Sequence, residues 1–153
     1  MPGVQALVTG GHFPGSSMLY LTSNADSGVK ANTLFHADTI HVVPSGKNPD
    51  SDPDSDQFSS GSDATNDQEI GTATYAFMWS VPNMIPLSPA AIEGIWTVIK
   101  AARIDHVVSH GLLDTIRRQS GPKLIERVLK SMQIAVRAMG YTDHPLLRET
   151  VDW

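Results

Sequence analysis

At 153 residues and 16.5 kDa the chain has the length of one domain with a core of its own. Its 41% hydrophobic content and mean hydropathy of -0.13 exclude a wholly disordered polymer, and the absence of cysteine excludes disulfides, thiolate nucleophiles and cysteine metal ligands. The net charge of -5 is local: Asp50, Asp52, Asp54, Asp56, Asp63, Asp67 and Glu69 stand against Lys47 alone, which leaves the rest of the chain near neutral. With no basic stripe interleaved with aromatics, a nucleic-acid surface is not expected. No apolar run is long enough for a membrane span and no signal-peptide pattern opens the chain, so a cytoplasmic location is the expectation.

In chain order, Val4 to Val8, Ser17 to Thr22 and Thr33 to Val43 carry the β-branched and apolar residues of strands. The turn cluster Ser23-Asn24-Ala25-Asp26-Ser27-Gly28 makes the last two a hairpin. Between the first two lies Gly10-Gly11-His12-Phe13-Pro14-Gly15-Ser16-Ser17, where glycines and a proline form a stiff loop that holds one imidazole in a set direction. Residues 44–69 are low-complexity and almost free of apolar side chains, so they cannot offset their ordering entropy and read as a disordered acidic insertion. Their Asp-Ser-Asp-Pro-Asp-Ser-Asp run lacks the glycine and distal glutamate of a calcium-binding loop, which favours a solvated insertion over a calcium site.

A short aromatic strand, Thr74 to Trp79, opens the second part. Ser88-Pro89 is an N-cap followed by proline at the first helical position, and Ile92, Ile95, Trp96 and Ile99 give the helix one apolar face through about Ala102. His106-Val107-Val108 reads as a short buried strand within Asp105 to Ser109, with His110-Gly111 after it. Ser120-Gly121-Pro122 opens a last helix whose stripe is Leu124, Ile125, Val128, Leu129, Met132, Ala135, Val136 and Met139, and Gly140 stops it. The tail from Tyr141 to Trp153 reads as irregular.

Three polar residues fall at the ends of these strands. His12 follows the first, Asp38 interrupts the apolar run Leu34 to Ile40, and His110 follows the strand His106 to Ser109. A carboxylate inside a hydrophobic strand is costly unless paired or bound to metal, and two imidazoles with one carboxylate suit zinc or a similar divalent ion. Each residue also has a plainer reading, as a loop histidine, a turn-capping aspartate and a turn histidine. His36 and His41 flank Asp38 and read first as packed or exposed strand histidines, with a stand-in ligand role as the alternative. His106 reads as structural and His144 as a turn residue. Ser16 and Ser17 lack the glycine-flanked elbow of a serine hydrolase.

Gly11-His12-Phe13-Pro14-Gly15-Ser16, then Ala37-Asp38-Thr39, then Ser109-His110-Gly111 resemble, in order, the later metal-binding motifs of the metallo-β-lactamase superfamily. The resemblance implies an α/β fold, part of a four-layer αβ/βα sandwich incomplete at its N-terminal side. It also implies one or two zinc ions, with His12 on the first, Asp38 bridging and His110 on the second. The activity it implies is hydrolysis of an ester, lactone or thioester by metal-bound hydroxide. The family's His-x-His-x-Asp-His motif, which precedes the first matched one, does not occur in this sequence. The whole of residues 1–153 then reads as the partial domain of such a hydrolase, of low or no activity alone. A sheet face would be left uncovered, and association with a second copy or with the missing N-terminal half is expected. The rival readings are a non-catalytic interaction module on the same fold, and a small intact metalloprotein using His12, Asp38, His110 and His36 or His41.

Overall fold

The architecture was obtained as a computed structural model, which describes residues 3–22, 32–42, 75–80, 82–104, 106–110, 116–119 and 124–151. The chain is mixed α/β. Its strands are β1 (Gly3–Val8), β2 (Ser17–Thr22), β3 (Thr33–His36), β4 (His41–Val42), β5 (Tyr75–Ala76), β6 (Met78–Ser80), β7 (Ile85–Pro86), β8 (His106–His110) and β9 (Ile116–Gln119), with helices α1 (Pro89–Ala102) and α2 (Leu124–Ala138). Five strands form one sheet in the order β1-β2-β3-β8-β9, while β4-β5 and β6-β7 are separate two-stranded ladders. Within the large sheet β1, β2 and β3 run as an antiparallel meander, as the turn cluster predicts for the β2–β3 pair. β8 then lies parallel to β3, Thr33 opposite His106 and His36 opposite Ser109, and β9 returns antiparallel.

One side of this sheet is the core. Met18, Tyr20 and Leu34 point to it and meet Ile92, Ile95, Trp96 and Ile99 of α1 and Leu124, Val128, Leu129, Met132 and Val136 of α2 in one cluster. The helical periodicity therefore identifies both buried faces, because residues three and four apart stand above one another on a helix. Ser88 caps α1 as expected, its Oγ accepting from the Ala91 amide at 3.3 Å, and the Tyr20 hydroxyl donates to the Ala102 carbonyl at the other end. Gly140 ends α2 in the left-handed region (φ 88), with its amide donating to Arg137 and the Tyr141 amide to Val136.

The other side of the sheet is open. Val4, Val8, Leu19 and Phe35 are exposed there, and register aligns Ala6 with Leu19, Leu19 with Phe35, and Phe35 with Val108. Opposed residues share a face, so an apolar band crosses β1, β2 and β3 without a helix over it among the described residues.

Several elements differ from the sequence expectation. The run 33–43 is not one strand: β3 stops at His36, residues 37–40 turn, and β4 starts at His41. Asp38 therefore sits in an exposed turn, and the cost of a carboxylate buried in a strand does not arise. The aromatic strand 74–79 is split at Phe77 into β5 and β6, which join different ladders. His110 closes β8 rather than following it, and β9 is an addition, since its Ile-Arg-Arg-Gln carries no strand-like alternation. The tail holds a 3-10 turn, Pro145–Arg148, whose Leu146 is fully buried. The acidic insertion at 44–69 lies outside the described residues, as do residues 120–123 at the entrance to α2. No helix among the described residues is long and apolar enough to cross a membrane.

Candidate functional site at one edge of the sheet

Strand direction brings the candidate segments together. β3 and β8 are parallel, so both end at the same edge, with Asp38 two residues past His36 and His110 as the last residue of β8. β1 also ends at that edge and β2 begins there, Val8 facing Ser17, so the loop 9–16 hangs from the same side. In a sheet built this way, loops at the carboxyl ends of parallel strands are where ligand-binding groups collect. The backbone thus gathers the His12 loop, the Asp38 turn and the end of β8 at one rim. The side chain of His110 is not among those described, and no three His, Cys, Asp or Glu side chains among the described residues form a group able to hold a metal ion.

The His12 loop is built tightly. Phe13-Pro14-Gly15-Ser16 is a β-turn with the Ser16 amide donating to the Phe13 carbonyl at 3.0 Å, and Gly15 at φ 92 takes the position that requires glycine. The Ser16 Oγ accepts from the Phe13 amide at 3.1 Å, and Ser16 is buried, so this serine serves the turn. Thr9 and Gly10 both donate their amides to the Ser16 carbonyl, closing the base of the loop. Gly11, at φ 87, lies flat on α1: a Cβ there would meet Ile95 Cδ1 at 2.8 Å.

Half-buried His12 is fixed by β6, the second part of the predicted aromatic strand, whose pairing with β7 sequence reasoning missed. Its Nδ1 lies 3.3 Å from the Met78 carbonyl oxygen of β6. A carbonyl only accepts, so Nδ1 carries the proton in that bond and the lone pair of the neutral ring falls on Nε2. This is how a backbone carbonyl commonly orients an imidazole that uses its other nitrogen as a ligand. The signal was present in the sequence: Pro82-Asn83 between the apolar runs 75–79 and 84–87 marks the β6–β7 turn.

His36 and His41 are buried. His36 points to the core side with Leu34; its Nδ1 lies 3.3 Å from the Ala37 carbonyl oxygen, and its Nε2 has no partner among the described residues. Burial holds its pKa down at about 4, partly opposed by the Ala37 contact and helped by nearby His41. These two are packed histidines rather than residues presented at the rim.

A single-chain zinc centre does not fit the described side chains. A catalytic zinc requires three protein ligands, and among the described side chains no three His, Asp or Glu come together at this rim.

No family model matches the chain, and no curated protein matches it. Among solved structures it is similar to a B3 metallo-beta-lactamase characterised as the first with an active-site glutamic acid, at 15% identity and a TM-score of 0.44. The alignment covers 90% of this chain and 41% of that one, so the chain spans less than half of that enzyme's length. A superposition at this score fixes neither ligands nor chemistry.

Proposed function

We propose that the chain is part of a metallo-β-lactamase-like, metal-dependent hydrolase domain, contributing His12, Asp38 and His110 to a site whose remaining ligands come from residues outside this sequence. The observation that carries the reading is the convergence of the three motif-bearing segments at one sheet edge, where β3 and β8 end and the β1–β2 loop begins. The direction of the His12 Nε2 lone pair, set by the Met78 carbonyl, agrees with a ligand role. The open sheet face is where the other half of a four-layer sandwich would pack.

The test is zinc binding by the chain alone and after co-expression with a polypeptide carrying His-x-His-x-Asp-His from a metallo-β-lactamase-like domain. Weak binding alone, and stoichiometric zinc in the pair that His12→Ala, Asp38→Asn and His110→Ala each reduce, is the expected result. Absence of zinc from a well-formed pair would overturn it.

One observation favours a second reading, an interaction module without chemistry: the exposed apolar band of Val4, Val8, Leu19 and Phe35. Under that reading Leu19→Asp and Phe35→Asp abolish self-association seen by light scattering, and zinc in excess changes nothing.

A further inference from the structure

The two edges of the five-stranded sheet differ in kind. At one edge, β9 is Ile116-Arg117-Arg118-Gln119, and charge is a common way for a sheet to keep its edge strand from pairing with another chain. At the other, β1 is Gly3-Val4-Gln5-Ala6-Leu7-Val8, and no Asp, Glu, Lys or Arg occurs in residues 1–25. The strand holds no proline, and its register with β2 runs unbroken from Gly3 opposite Thr22 to Val8 opposite Ser17.

The register names the backbone groups that β1 leaves open. Just past one end the Thr9 amide donates to the Ser16 carbonyl at 2.9 Å, and at the other the Gly3 amide donates to the Thr22 hydroxyl at 3.1 Å. Bonded pairs alternate along an antiparallel ladder, so Gly3, Gln5 and Leu7 turn their N–H and C=O toward β2. Val4, Ala6 and Val8 turn theirs away from it, to a side where no described strand lies. All three are exposed. Gln5, on the helix side of the sheet with Tyr20, is exposed as well, so neither described helix covers this edge.

A second copy of β1 fits the edge because the outward residues are symmetric about Ala6. In an antiparallel pairing centred there, Ala6 meets its own counterpart and Val4 meets Val8 of the second copy, each as an exchanged pair of N–H···O bonds. Ala6 faces Leu19 and Leu19 faces Phe35 within each chain, so the same register joins the two apolar bands into one row. The net charge of -5 does not oppose the contact, since its excess acids lie between residues 50 and 69 and none lies in β1. A two-fold pairing consumes the edge, and the arginines of β9 guard the other, so the assembly closes at a dimer.

We propose that β1 is a homodimerisation edge, through which two copies pair antiparallel by Val4, Ala6 and Val8 to form one continuous sheet. The contact is made by the main chain, needs no metal and does not depend on the hydrolase reading. It sets the two His12 loops at opposite ends of the joint ladder, because Val8, where each loop departs, faces Val4 of the second copy.

The experiment follows the full chain by sedimentation velocity and amide hydrogen exchange from low-micromolar to near-millimolar concentration. A ladder this short buries less than a standard interface, so half-dissociation is expected on the order of 10–100 μM. The Val4, Ala6 and Val8 amides should exchange several-fold more slowly at high concentration, while Gln5 and Leu7, already bonded to β2, change little. Ala6→Pro removes an outward N–H that the monomer does not use and should stay monomeric throughout. Val4→Lys combined with Val8→Lys, and Val4→Glu combined with Val8→Glu, should each be monomeric alone and dimerise when mixed, since the register opposes the two positions. Phe35→Asp, two strands from the axis, should dimerise as the wild type does, which separates edge pairing from stacking of the open faces. Thermal unfolding checks that every variant is folded. A wild type that stays monomeric, a dimer with unchanged exchange at Val4, Ala6 and Val8, oligomers beyond two, a charged mixture that does not pair, or a dimer lost in Phe35→Asp and kept in Ala6→Pro would each overturn the proposal.

Discussion

Gly11→Ala offers the sharpest test of how the His12 loop is seated. At φ 87 an alanine is strained by about 1–2 kcal/mol relative to glycine, offset by the ~0.4–1 kcal/mol it gains by restricting the unfolded chain. Its methyl would also sit 2.8 Å from Ile95 Cδ1 and 3.3 Å from Ile95 Cγ1. Ile95 is fully buried within the core cluster and cannot swing clear, so overpacking adds about 1–3 kcal/mol. The total expected loss is about 2–4 kcal/mol, against roughly 1 kcal/mol for Gly10→Ala and Gly15→Ala. Those two share the positive φ, but a methyl added at either would have no atom within 4 Å of it. Urea unfolding read by tryptophan emission resolves differences of this size, which are a large share of the 5–15 kcal/mol typical of a domain. Ile95→Val deletes the offending Cδ1 and costs about 1 kcal/mol alone, so the double variant should be more stable than the sum of the singles by about 1 kcal/mol or more. Equal losses at Gly10, Gly11 and Gly15, with no rescue by Ile95→Val, would show that the loop does not rest on α1.

Acid should weaken the fold through His36. Its folded pKa of about 4 lies below the usual 6.5, so the folded state disfavours the imidazolium; the contribution is complete above pH 6.5 and is lost as pH falls toward 4. The difference is about 3 kcal/mol, so wild-type minus His36→Phe stability should fall by about that amount as pH drops from 6.5 to 4 in urea unfolding, and a difference that stays constant would refute it. Ser131→Ala removes the buried Oγ that accepts from the Tyr75 amide at 3.2 Å and donates to Arg127, and should cost about 1–3 kcal/mol by differential scanning calorimetry. Trp96→Phe deletes the indole N–H bonded to Glu149 Oε2 at 3.1 Å along with ring volume, and should cost about 1–2 kcal/mol. Lys100→Ala breaks an ion pair to the same carboxylate whose partners are 44% and 35% exposed, and should cost under about 0.5 kcal/mol in the same melts.

The helices were legible because their signals are local and redundant. Ser88-Pro89 set one start, Gly140 one end, and four apolar residues at helical spacing named the buried face of α1. Strand ends were less legible. Nothing within Leu34 to Val42 says that the chain turns at Ala37, since the turn exists to bury Thr39 and Ile40 against residues far along the chain. β9 was invisible because Ile116-Arg-Arg-Gln owes its conformation to pairing with β8, not to its own composition. At the candidate site the sequence named the residues but not their supports. The bond that orients His12 comes from a main-chain carbonyl at Met78, and carbonyl groups leave no residue-type signature. Asp38 was selected for a burial it does not have, yet the register of β3 and β8 brings its turn to the same rim as His110.

The parallel ladder between β3 and β8 also makes this chain divisible. Residues 3–42 supply the β1–β2–β3 meander and β4, residues 75–151 supply the other described elements, and the two parts meet through β3–β8, β4–β5 and the shared core. His12 and Asp38 belong to the first part, Met78 and His110 to the second. The rim is thus an interface that happens to be closed by one covalent thread. Breaking that thread within residues 43–74 would turn assembly of the site into a bimolecular event, with its occupancy set by fragment concentration.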